Sequence, residues 1–213
     1  MIELYAITDD PGPPLPDVAG LRIVPFDGLA AVCTPASEDE PSPETLWRHE
    51  DVVEALMADR DLLPVRYGTR LDDEAAVARA MEGRRDELAA ALERVRGAVE
   101  LSVRVVAAGA APAQSPPPHP TERTSGAEYL RLRAEAEASR DEAASALNDP
   151  LAALAREGAQ AQPRPPELFR AAYLVERAAV DSFVAEVARL QGANPDLAIL
   201  CTGPWPPYSF AAR

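Results

Sequence analysis

The sequence predicts an α+β protein in two parts. Three observations point there. Strand and helix patterns are mixed in the first half in the order β-β-β-α-β-α-β, which favours a sheet with helices packed on a face. Residues 108–124 are Pro, Ala and small polar residues that cannot build a core. The pattern beyond them is more helical. The expected boundaries are an N-terminal domain over 1–107 with a mixed sheet and two helices, a linker over 108–124, and a C-terminal domain over 125–213 with a long helix. Pro116-Pro117-Pro118 favours an extended, semi-rigid linker. The other reading of 108–124 is a long surface loop within one domain.

Ile2 to Ile7 is a short, partly alternating strand. Leu21–Phe26 and Leu29–Cys33 are apolar runs joined by Asp27-Gly28, a strong two-residue hairpin signal, because both residues tolerate positive φ. Pro25 lacks an N–H, which places a sheet edge in this hairpin. Ser42 and Pro43 suit the N-cap and first position of a helix with Leu46, His49, Val53, Leu56 and Met57 on one face. Leu62–Arg66 reads as a strand closed by Tyr67-Gly68-Thr69. One helix then runs from Asp72-Asp73-Glu74 to Val95, with Gly97 as its C′ residue. Val99, Leu101, Val103 and Val105 alternate with Glu100, Ser102 and Arg104 as a half-buried strand.

In the second part, Ser125 caps a helix carrying Tyr129, Leu132, Ala136, Ala143 and Leu147, which Asn148-Asp149-Pro150 breaks or kinks. Residues 158–167 read as a Gln/Pro-rich loop. Leu168 to Leu190 fits one helix, yet Phe169–Val175 is equally a buried strand, and periodicity does not decide. Gly192-Ala193-Asn194-Pro195 ends a helix and Leu197–Cys201 is a strand.

Composition narrows the chemistry. The 213 residues carry a net charge of −14. A polyanion needs a basic patch to release its counterions, so nucleic acid and anionic membrane surfaces are excluded as partners. All 21 basic residues are Arg, which removes P-loop, Schiff-base and general-base lysines. Met1-Ile2-Glu3-Leu4 has no basic or long apolar leader, and no apolar run is long enough for a membrane-spanning helix. Cys33 and Cys201 read as buried free thiols rather than a disulfide, and the expected setting is the cytoplasm.

The catalytic motifs are missing: no G-x-G-x-x-G, no G-x-S-x-G, no C-x-x-C. His49-Glu50 begins like a zinc-protease helix, but position 53 is Val, so His49 reads as a buried His with a satisfied nitrogen. No metal or cofactor is expected. Arg66-Tyr67-Gly68-Thr69 joins a strand to a helix N-terminus, a geometry able to hold an anion; Asp72, Asp73 and Glu74 already put negative charge there. Its readings are a turn with a structural Arg, an anion site, or a partner contact. Trp205-Pro206-Pro207-Tyr208 resembles polyproline ligands in composition and reads as a packed lid, favoured with Trp205 buried, or a binding surface.

Several segments together resemble the gas vesicle GvpL/GvpF family. They are His49-Glu50, Val53-Glu54-Ala55-Leu56-Met57, Leu62-Leu63-Pro64-Val65-Arg66-Tyr67-Gly68-Thr69, Ala171-Ala172-Tyr173-Leu174-Val175 and Thr202-Gly203-Pro204-Trp205-Pro206-Pro207-Tyr208-Ser209-Phe210. The chain departs from the family in having Leu101 where members often have an aromatic, and in its Pro-rich linker. The resemblance implies a ferredoxin-like C-terminal domain, with Phe169–Val175 a strand followed by a helix. It implies a non-enzymatic accessory or minor structural protein of gas vesicle assembly, located at the vesicle or in the cytoplasm. Its implied partners are the major shell subunit and other gas vesicle accessory proteins, with no catalytic residues to carry over. The candidate partner contacts are Arg66, Tyr67, Gly68, Trp205, Pro206, Pro207 and Tyr208. The competing readings are a small-molecule or anion-binding enzyme using the Arg66–Thr69 turn, and a generic cytosolic adaptor.

Overall fold

The computed structural model describes residues 1–37, 41–108 and 144–211. The expected linker beyond its first residue, and the expected helix from Ser125 up to Ala143, lie outside the described residues. By its contacts the chain groups into Met1–Glu100 with Pro204–Arg213, and Leu101–Gly203. Against the expected boundaries, this grouping gives residues 101–107 to the second unit and residues 204–213 to the first.

In the first unit, β1 (Ile2–Asp9), β2 (Arg22–Phe26), β3 (Leu29–Pro35) and β4 (Leu62–Pro64) lie in the order β2-β3-β1-β4, with the two-residue β5 (Arg70–Leu71) also on β1. Every pairing is antiparallel, so the sheet expected as mixed is antiparallel. The sequence shows strands but not their direction; that follows from where the connections bring each strand back. The β2–β3 turn has Asp27 at φ 42° and Gly28 at φ 78°, the double positive φ of a type I′ turn. β2 is the edge strand, which accommodates Pro25. β1 is paired on both edges and is buried along almost its whole length, on both faces of the sheet. Its register on β3 slips between Leu4 and Ala6, leaving Tyr5 as the extra residue of a bulge.

α1 (Pro43–Asp59) starts as expected: Ser42 Oγ accepts the Thr45 N–H, and Thr45 Oγ1 accepts the Ser42 N–H. It buries His49, Val52, Val53, Leu56 and Met57, while Leu46 is exposed. The single helix expected from Asp72 to Val95 is two, α2 (Glu74–Glu82) and α3 (Arg85–Val95), so this part has three helices where two were expected. Gly83 is the break. Glycine inside a helix costs about 1 kcal/mol relative to alanine, and Asp86 and Glu87 give α3 an acidic first turn of its own. Gly97 follows α3 at φ 70°.

The second sheet has the order β7-β8-β6-β9, built from β6 (Ala98–Ala107), β7 (Glu157–Gln160), β8 (Glu167–Glu176) and β9 (Leu197–Trp205). Helical residues 144–152, here α4, fall between β6 and β7, and α5 (Val180–Ala193) falls between β8 and β9. The chain order β-α-β-β-α-β with this strand order is ferredoxin-like, as the resemblance implied. The ambiguity over Leu168–Leu190 resolves as strand then helix. β7 corrects the expected loop over 158–167: its Glu-Gly-Ala-Gln carries no apolar alternation, and antiparallel pairing to β8 alone makes it a strand. Of the break or kink expected at Asn148-Asp149-Pro150, the break does not occur: the helix continues through Pro150 to residue 152. Tyr173 Oη donates to Asn148 Oδ1 at 3.0 Å, tying α4 to β8.

Phe183 and Tyr173, both fully buried with ring centroids 5.2 Å apart, centre the core of this unit. Fully burying a side chain like that of Phe183 is worth about 1.5–3 kcal/mol. At the end of the sheet, the Gln191 side-chain amide donates to Leu197 O at 2.7 Å and accepts the Ile199 N–H at 2.8 Å. Both cysteines are free, and burial pushes both thiols up.

Candidate functional site

The first motif block is strapped to the central strand. β4 pairs with Ala6, Ile7 and Thr8, and Val65 N–H donates to Tyr5 O at 2.8 Å. The chain then reverses. Thr69 N–H donates to Arg66 O at 3.2 Å with Gly68 at φ 79° in the third position, the signature of a type II turn. Leu4 N–H donates to Thr69 O at 3.0 Å, returning the chain to β1. Arg66 is exposed, and its guanidinium has no hydrogen-bond or ion-pair partner among the described residues.

α1 supports this turn. His49 Nε2 is 2.9 Å from Val65 O; a carbonyl only accepts, so Nε2 carries the proton. The His49 ring stacks on Tyr5 at 4.8 Å and meets the edge of Tyr67 at 5.6 Å. The bulge at Tyr5 and the turn at Tyr67 together enclose the imidazole. Its Nδ1 has no hydrogen bond and faces Glu3 Oε1 at 3.6 Å. Thr45 Oγ1 and Tyr67 Oη are hydrogen-bonded, and Tyr5 Oη and Thr34 Oγ1 are 3.3 Å apart. Burial pushes the Tyr5 phenol up, so it stays a neutral hydroxyl.

The anion reading of the turn depended on the following helix N-terminus. Asp73 caps that end, taking the Ala76 N–H at 2.7 Å, and Glu74 in the first turn pairs with Arg22 at 3.1 Å. The chain's own carboxylates occupy the position an anion would take.

The second motif block ends in α6 (Tyr208–Ala211), which packs on α3 and β4. Pro206 and Pro207 are buried, and Phe210 is fully buried. Trp205 is 41% exposed. The lid reading placed Trp205 in the seal; the sealing aromatic is Phe210 instead, because the short α6 turns its last apolar ring inward. Tyr208 Oη donates to Glu50 Oε1 at 3.0 Å, and burial beside Glu50 pushes the phenol up. Ser209 donates its N–H and Oγ–H to the two oxygens of Glu100, each at 2.8 Å. Arg94 donates to Phe210 O.

Two consecutive residues of α1 therefore hold the two motif blocks: His49 takes the first through Val65, and Glu50 takes the second through Tyr208. Sequence reasoning missed Glu3 and Glu100. Each is a lone acid within a strand pattern, and alternation reads such a residue as facing water. The signal for Glu3 was its place inside a strand with apolar neighbours on both sides.

A family model described as gas vesicle synthesis protein GvpL/GvpF matches residues 4–212. Gas vesicle protein L of Streptomyces sp. (strain CB03234) is 38% identical over 181 residues, covering 76% of this chain and 67% of that protein. Gas vesicle protein F of the same organism is 29% identical over 97% of this chain and 98% of its own. The crystal structure of GvpF from Anabaena sp. PCC7120 superposes with a TM-score of 0.80 at 20% identity, covering 100% of this chain and 96% of that one. GvpF from Microcystis aeruginosa gives 0.80 at 21% identity, covering 100% and 99%. Both share the fold, and with the family match spanning the motif blocks that α1 holds together, the chain belongs to the gas vesicle GvpL/GvpF family.

Proposed function

We propose that this chain is a non-catalytic accessory or minor structural protein of gas vesicle formation that binds the major shell-forming subunit. It works at the vesicle or in the surrounding cytoplasm, alongside other gas vesicle accessory proteins. Family membership supports the process. The observation that carries the binding reading is the placement of the chain's two tryptophans: Trp47 is 66% exposed and Trp205 is 41% exposed. Tryptophan is among the residues most enriched where a few side chains supply most of an interface's energy. Both belong to the first unit, and Trp205 lies within a motif block. Arg66 and Tyr67 present a second contact beside the Gly68 turn. Among the described residues no helix is long and apolar enough to cross a membrane.

The test uses the full chain and purified major shell subunit. Trp47→Ala and Trp205→Ala are each expected to weaken binding by about tenfold or more, near 1.4 kcal/mol, with thermal unfolding nearly unchanged. Equal affinity for both variants and the parent refutes the tryptophan contact, and absence of any binding by the parent refutes the partner.

A further inference from the structure

α1 leaves one face unpartnered. Glu44, Trp47, Asp51, Glu54 and Ala58 recur at spacings of 3, 4, 3 and 4 along it, opposite the buried His49, Val53 and Leu56, and all five are exposed. Trp47 is 66% exposed between acidic neighbours, and no cation lies on the stripe.

Two of the carboxylates beside Trp47 are unspent. Glu44 turns back to the helix start, where its own N–H and the Ser42 hydroxyl hold it below the ordinary carboxylate range. Asp51 and Glu54 form no hydrogen bond or ion pair with each other's flanks or with any cation among the described residues. Arg48, one step round the helix, has an interaction of its own and pairs with neither of them. Like charges at this helical spacing repel.

We propose that this stripe docks a basic segment of a partner protein. An arginine lies on the Trp47 indole with its guanidinium against Asp51, and a second basic side chain, one helical turn away in the partner, meets Glu54. Residues four apart on a helix have Cβ atoms about 5–6 Å apart, so one guanidinium reaches both the Trp47 ring and the Asp51 carboxylate. A guanidinium stacks on an aromatic face and also forks onto a carboxylate; an aliphatic or acidic side chain does not do both. The charge complementarity extends to the whole molecule, since a chain of net charge −14 attracts a cationic partner and repels an acidic one. This contact rests on the shell-binding reading for its use, and on the α1 stripe alone for its chemistry.

The experiment follows the indole N–H and backbone amide shifts of the full chain during titration with terminally blocked, alanine-based helical peptides. The peptides are alike except at two positions four apart, which carry arginine, citrulline or glutamate. Citrulline keeps the shape of arginine and lacks its charge. The arginine peptide is expected to shift Trp47 and the amides around Asp51 and Glu54. It is expected to bind about tenfold more tightly than the citrulline peptide, and to weaken several-fold when salt rises from about 0.05 M to about 0.5 M. Trp47→Ala and Asp51→Asn are each expected to weaken it by about threefold or more, and Asp181→Asn, on α5 in the other unit, not at all. No shift of Trp47 with the arginine peptide overturns the proposal. So does equal binding of the citrulline or glutamate peptide, or undiminished binding by Trp47→Ala and Asp51→Asn. The shell-binding reading fails separately: arginine-peptide binding by a chain that does not bind the purified shell subunit upholds the stripe and removes that partner.

Discussion

The hydroxyl of Tyr208 donates to Glu50 Oε1 across 3.0 Å, joining residues 158 positions apart in the chain. Because burial and two nearby carboxylates push the phenol up, Tyr208 remains a donor throughout the working pH range. Tyr208→Phe keeps the ring and deletes only this bond. It is expected to cost about 1–2 kcal/mol, measured as a lower urea midpoint with an unchanged slope. An unchanged midpoint would show that the hydroxyl does not hold α6.

The pair Glu100–Ser209 predicts a pH dependence. Burial raises the Glu100 pKa, and the two donors from Ser209 offset this only in part. A carboxylic acid raised in the folded state binds its proton more tightly there than in the unfolded chain. Its contribution is therefore most favourable below the ordinary value of 4.5 and is lost as pH rises from there through the folded value. Glu100→Gln removes the buried charge and keeps an acceptor. Its melting temperature is expected to vary less than the parent's across that window, and to equal or exceed it at pH 7. Ser209→Ala leaves the carboxylate short of a donor and is expected to cost about 1–3 kcal/mol at pH 7. A parent-like pH profile in Glu100→Gln would refute the account.

The two aromatic ends of the last motif separate cleanly. Phe210, fully buried, is expected to cost about 3–5 kcal/mol on replacement by alanine. Trp205→Ala is expected to change unfolding by less than about 1 kcal/mol, because the ring is already partly in water. Calorimetry of the two variants decides this; a larger loss for Trp205→Ala would return that ring to the seal.

Much of the architecture was legible because it rests on local signals. Asp27-Gly28 encodes its turn through positive φ, Ser42-Pro43 encodes a helix start, and Gly68 and Gly97 mark reversals. What was not legible rests on pairing between distant segments. β7 has no pattern of its own and exists by its bonds to β8. The break at Gly83 was one weak residue inside a good helical stripe. In the site, the residues of the two motif blocks were visible, but their supports were not. Glu3 and Glu100 look like outward acids until the strand's second face is covered, and the bulge that turns Tyr5 onto His49 leaves no trace in composition. Trp205 misled for the opposite reason: its size argued for burial, while the smaller Phe210 took the space.

Gln191 has one further consequence. β9 is the terminal strand of its sheet, and terminal strands invite another molecule's backbone to dock and extend the array. By occupying the N–H of Ile199 and the C=O of Leu197, the glutamine amide imitates a neighbouring strand for one repeat and then stops. Over that stretch a second polypeptide finds its bonding positions already taken. One side chain thereby closes two bonding positions on the terminal strand of this sheet.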